Sequence, residues 1–142
     1  MQLERDILTA EETLSIGEET LKKIIDKPFF DYKVGDQFFI KGQPDVRHVV
    51  LNDYYDEQLQ DIILVYGDNQ KISFDEAYPL FTTGMLMELL SFAFPFNLST
   101  FGHGWILLWN GGSVFQSSEG ESLVAFLWRS LAEVVESDKY VW

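Results

Sequence analysis

The sequence predicts an α+β fold: an N-terminal helix, a small antiparallel barrel-like sheet, then a helix–three-stranded antiparallel meander–helix unit. Three observations carry this. Leu21, Ile24 and Ile25 fall on one helical stripe. Residues 32–81 then change to a period of two, broken by Gly and Asp turns. From residue 82 on, two apolar stripes at helical spacing bracket three short strands.

The first helix has two start signals, Thr9 with Glu12 and Ser15 with Glu18, both at capping-box spacing. Pro28 stops it near Asp26, because the residues before a proline are driven out of the helical region. A strand follows over 32–40 with a turn at Gly35-Asp36, and a second over 46–51. An acidic loop over 52–60 leads to a strand over 62–66, and Gly67-Asp68-Asn69 turns tightly into a strand over 71–74. These links are too short for the crossover that parallel strands need, so every sheet is expected to be antiparallel. Val34-Gly35-Asp36 and the run Ile72-Ser73-Phe74-Asp75-Glu76, with the strands between them, resemble a Tudor-like small β-barrel.

Thr82 or Thr83 caps the next helix, which runs to about Ala93 and ends before Pro95. The meander strands span 96–101, 105–109 and 113–116, turning at Gly102-His103-Gly104 and Asn110-Gly111-Gly112. Ser118 with Glu121 opens the last helix, whose stripe is Leu123, Phe126, Leu127, Leu131, Val134 and Val135, widened by Val124 and Trp128. Trp105, Leu107 and Trp109 share one face of the central strand and Ile106 and Leu108 the other. A strand apolar on both faces is expected to be covered on both, by the two helices on one side and by the N-terminal half or another chain on the other. The domain division expected is 1–81, helix plus barrel-like sheet, and 82–142, the two-layer α/β unit, packed together.

The stretches GWILLWNGGSVFQ and ESLVAFLWRSLAEVV, within residues 83–136, resemble the small two-layer sandwich domains of phage and mobile-element proteins of unassigned function. That resemblance implies a phage or mobile-element origin. It brings no active-site motif with it.

Composition narrows the function classes. Twenty-three acids against ten bases give a net charge of −13. Direct binding to nucleic acid or to an anionic membrane is not expected, since both need a Lys/Arg surface. A protein partner with a basic surface would be steered toward this chain. The chain has no cysteine, which fits a reducing compartment. The polar start, Met1 to Asp6, is not expected to act as a secretory leader. The most apolar stretch, 85–98, is interrupted by Glu88, Ser91, Pro95 and Asn97 and falls short of the roughly 20 apolar residues of a spanning helix. A cytoplasmic protein is expected, in the host cytoplasm if phage-encoded.

No catalytic constellation emerges. His48 sits in a strand and His103 in a turn, with no spacing for a metal pair, and the glycine turns join strand to strand, whereas a phosphate cradle opens a helix. Asp53, Asp56, Glu57 and Asp61 lack the oxygen spacing and central glycine of a calcium loop. No cofactor and no metal are expected. The expected activity is binding without catalysis: an inhibitor or antagonist, such as a counter-defence protein, covering a basic site on a nucleic-acid-handling or defence protein. The candidate contact residues are Asp53, Tyr54, Tyr55, Asp56, Glu57 and Asp61, with the aromatics Trp109, Tyr140 and Trp142. The alternatives are a toxin-antidote immunity protein, or a small-ligand binder whose pocket is lined by Phe38, Tyr54, Tyr66 and Phe74. A homodimer is also compatible with the sequence.

Overall fold

A computed structural model of the chain describes residues 6–26, 30–93, 96–102, 104–109 and 113–137. It is an α+β fold with four helices and three three-stranded sheets, every strand pair antiparallel. The chain divides into two compact units, Asp31–Leu80 and the flanking Met1–Phe30 with Phe81–Trp142.

In the flanking unit, α1 (Ala10–Leu14) starts at a complete capping box. Thr9 Oγ1 accepts the Glu12 N–H at 3.1 Å, and Glu12 Oε1 accepts the Thr9 N–H at 2.9 Å. The second box does not form. Ser15 instead closes α1, and α2 (Glu18–Ile25) begins at Gly17, whose φ of +88° reverses the chain there. A side chain at Gly17 would be strained in that conformation. Asp26 ends α2 as expected, and Leu21, Ile24 and Ile25 are buried.

The N-terminal helices were expected to group with the barrel-like half. They pack instead with the C-terminal segment. α2 lies on α4 (Leu123–Glu136), the Trp128 indole N–H donates to the Glu12 carbonyl, and the Thr20 hydroxyl donates to Glu136. An isolated bridge pairs Ile7 with Thr82, beside a 2.9 Å bond from Leu8 N–H to the Phe81 carbonyl.

α3 (Thr83–Ala93) is capped by Thr82 Oγ1, which accepts from the Met85 N–H, and α3 packs on α4. α4 starts at Ser122, whose Oγ accepts from the Ala125 N–H. Ser118 and Glu121 make a reciprocal turn just upstream, so the helix begins later than the first capping signal implied. Phe126, Leu127, Leu131 and Val134 are buried with Val124 and Trp128. The Phe81 and Trp128 rings lie 5.1 Å apart.

Following α3, β7 (Phe96–Phe101), β8 (Gly104–Trp109) and β9 (Ser113–Gln116) form the meander in the order β7-β8-β9. The two faces differ in burial. Leu107 is fully buried, whereas on the other face Leu108 is 44% and its cross-strand partner Val114 61% exposed. His103 and the turn at 110–112 fall outside the described residues.

In Asp31–Leu80, β1 (Gln37–Ile40) pairs with β2 (Gln43–Val49) and with β6 (Ala77–Pro79). The second sheet is β3 (Asn52–Asp56), β4 (Asp61–Tyr66) and β5 (Gln70–Ser73). Between the sheets the chain runs from β2 through Val50 and Leu51 into β3, with the Leu51 N–H bonded to the Val65 carbonyl at 2.8 Å. A 3-10 turn, Phe74–Glu76, carries the chain from β5 to β6, which returns to β1. The result is two separate three-stranded antiparallel sheets where one barrel-like sheet was expected. Residues 32–34 are not strand: the Lys33 N–H bonds Asp36 Oδ2 and the Asp36 N–H bonds the Lys33 carbonyl, a turn that Gly35 permits with φ +97°. Phe38 centres the core, with its ring 5.4 Å from both Tyr66 and His48 and 6.2 Å from Tyr32. Edge-to-face aromatic pairs of this kind add ~0.5–1.5 kcal/mol each beyond the area they bury.

Candidate functional site

The acidic segment expected as a loop is mostly strand. Residues 52–56 pair in register with 61–65, from Asn52 opposite Val65 to Asp56 opposite Asp61, and only 57–60 turn. The buried β4, with Ile63 and Leu64 at 5% and 0% exposure, supplies a ladder that the polar β3 completes from outside. An edge strand needs less apolar character than a central one, which is why the segment reads as loop from its composition.

Register sorts the side chains, since directly opposed residues share a face. Asp53 and Tyr55 lie on the face of Leu64 and Ile62, and Tyr54 and Asp56 on the face of Ile63 and Asp61. Asp56 and Asp61 are thus like charges placed opposite each other, an arrangement that costs stability unless it is compensated. Each carboxylate has local donors. Asp56 Oδ1 accepts from the Gln58 and Leu59 N–H groups at 2.9 and 3.0 Å. Asp61 Oδ1 accepts from the Ile62 N–H at 2.8 Å, and its Oδ2 accepts from the Ser73 hydroxyl. The Lys71 ammonium lies 5.7 Å from the centre of the Tyr54 ring. Among the described residues, no ion pair involves residues 31–80. The hairpin therefore presents a concentration of negative charge, with Tyr55 60% exposed beside it and Leu59 68% exposed in its turn.

The aromatic half of the predicted contact set belongs to a different part of the chain. Trp109 ends β8 in the other unit, and Tyr140 and Trp142 lie outside the described residues. The four candidates for a ligand pocket do not converge either. Phe38 and Tyr66 fill the core, Phe74 packs on Tyr32 at 5.4 Å, and Tyr54 faces away from Tyr66 across β4. Burial first, and then the charge of Asp36, push the Tyr32 phenol well above its ordinary value and keep it neutral. His48 is half-buried against Tyr66, with ring centres 4.6 Å apart.

A groove of about 300 Å³ opens elsewhere, at the start of β8, lined by Gly102, Gly104, Trp105 and residues 116–120. Beside it Arg129 clamps the end of β9. Its guanidinium donates to both Glu121 oxygens at 2.9 and 3.0 Å and to the Gln116 carbonyl at 2.9 Å. Burial pushes the Glu121 carboxyl up, but hydrogen bonds from Arg129 and the Ser118 N–H, with the Arg129 charge, outweigh it and hold the group below its ordinary value. The sequence reading took Glu121 only as an opening residue of the helix and missed this clamp. Its signal was Glu121 eight residues upstream of Arg129. Among the described residues no three His, Asp or Glu side chains are grouped to hold a metal ion.

Set against models of protein families, curated proteins and solved structures, the chain matches none of them.

Proposed function

We propose that the chain is a non-enzymatic binding protein, an inhibitor or antagonist of phage or mobile-element origin, that covers a basic site on a nucleic-acid-handling or defence protein. One observation carries this reading: Asp56 and Asp61 of the β3–β4 hairpin have backbone and hydroxyl donors, and none of its acids is in an ion pair among the described residues. Charge left unneutralised on a sheet that is already ordered can meet a Lys/Arg surface with little further cost in chain entropy. Asp53 and Glu57, whose carboxylates take no part in the hairpin's turn, are the contacts of first choice, with Tyr55 as the apolar neighbour. An immunity protein acting on a basic toxin would use the same surface. The partner, and not nucleic acid or membrane, is the target, and the cytoplasm is where the two would meet. No helix among the described residues is long and apolar enough to cross a membrane.

The test compares the native chain with the double variant Asp53→Lys, Glu57→Lys in affinity capture, followed by association kinetics with the purified partner. Raising salt from about 50 to 500 mM shortens the screening length from roughly 14 Å to about 4 Å. The native on-rate should fall about tenfold or more while the off-rate changes less. The double variant should associate slowly at every salt concentration. Capture of only acidic or neutral partners, or a salt-insensitive on-rate shared by the variant, would discard the acidic-surface mechanism.

A further inference from the structure

We infer that the open edge of β7 is a self-association site, where a second copy of this chain adds its own β7 antiparallel to the first. An edge strand presents unpaired N–H and C=O groups to any chain that can reach them, and natural proteins guard such edges with charge, proline, shortness or cover. The other edge strands here are guarded. β2 carries Pro44, Asp45 and Arg47, β3 carries Asp53 and Asp56, and β5 carries Lys71. β6 has three residues and ends on Pro79, and the far end of β9 has its Gln116 carbonyl taken by Arg129.

β7 has neither charge, proline nor shortness to guard it, and among the described residues no strand pairs with its outer edge. It is six residues long, without charge or proline, and pairs with β8 in unbroken register from Phe96 opposite Trp109 to Phe101 opposite Gly104. Asn97, Ser99 and Thr100 are exposed along it. Charge selects the occupant. Between Glu88 and Glu119 the sequence contains no Asp, Glu, Lys or Arg, in a chain of net charge −13. Two copies repel each other nearly everywhere else, and here they can meet without burying an unpaired charge. A two-fold axis perpendicular to the sheet keeps each face on its own side, so residues of like face must oppose each other. The register is then centred on Leu98 or Ser99, and the product is a six-stranded sheet. A contact this small gives a weak dimer, in the micromolar range.

Sedimentation equilibrium of the full chain tests this. The native chain should show a monomer–dimer equilibrium that tightens as salt rises, because salt screens the repulsion between copies. A basic partner on the acidic hairpin would show the opposite salt dependence, so the two contacts fail separately. Ser99→Lys or Thr100→Lys, each at an exposed position, should weaken the dimer about tenfold or more by setting like charges across the axis, with circular dichroism unchanged. Val114→Lys, on the exposed face and away from this edge, should leave it within about twofold. A monomer up to about 0.5 mM, a dimer indifferent to both edge lysines, one lost to Val114→Lys, or one loosened by salt would each overturn the proposal.

Discussion

The indole N–H of Trp128 donates to the main-chain carbonyl of Glu12 at 3.1 Å, across 116 residues of sequence. The bond fastens the last helix to the first, and the indole itself is 2% exposed against Phe81. Trp128→Phe keeps most of the packing but removes the donor. It should cost roughly 1–3 kcal/mol, one hydrogen bond plus part of a buried ring, read as a lower denaturant midpoint at unchanged slope.

Two large residues of the same unit should respond unequally. Leu127 is wholly buried, so Leu127→Ala should destabilise by ~2–5 kcal/mol. Trp105 is only half-buried, and Trp105→Ala should cost less than that, with urea unfolding of both variants as the measurement.

The hairpin acids should separate into structural and free groups. Asp56 holds two backbone N–H groups of its turn, and Asp56→Ala should cost roughly 1–2 kcal/mol. Asp56→Asn keeps an acceptor oxygen and should recover most of that loss. Glu57→Lys should stay within about 0.5 kcal/mol of native. Equal thermal midpoints for Asp56→Ala and Glu57→Lys would show that the cap contributes nothing.

Acid should weaken the flanking unit through Glu121. Its folded-state pKa lies below its ordinary value, so its contribution is complete above the usual glutamate range, about pH 4.3, and is lost as pH falls through the folded value. Glu121→Gln should therefore lower stability at neutral pH and flatten the acid limb of the stability curve, which denaturant titrations at stepped pH will read.

Where residues carry strong local periodicity, the sequence was legible: α3 and the three meander strands lie within a residue or two of their expected bounds, and α2 ends where expected, whereas α4 starts four residues after its expected cap. Composition misled where polar residues make an edge strand, as in β3. Shortness hid β6, whose three residues are all buried and end in proline, too few to show a period. The cap was read correctly at Thr9, and Thr82 proved to be the one of the Thr82/Thr83 pair that caps, but Ser15 and Ser118 were not caps, because spacing alone cannot say where a glycine or a turn will reverse the chain. Of the candidate site, the hairpin acids were found as a group. Which of them are tied up depended on register, and that could not be read before the strands were paired.

Asp31–Leu80 is an uninterrupted stretch inserted in the sequence between the two pieces of the other unit, and those pieces meet each other where the Phe30 and Phe81 rings lie 5.3 Å apart and Ile7 bridges Thr82. During synthesis the β-rich insert can close on itself as soon as it leaves the ribosome, because all its partners are already present. Helices α1 and α2 emerge before the insert but must wait for α4, which follows it. At about 5–20 residues per second this leaves their apolar stripe uncovered for several seconds, so a segment made before the insert is packed only after it.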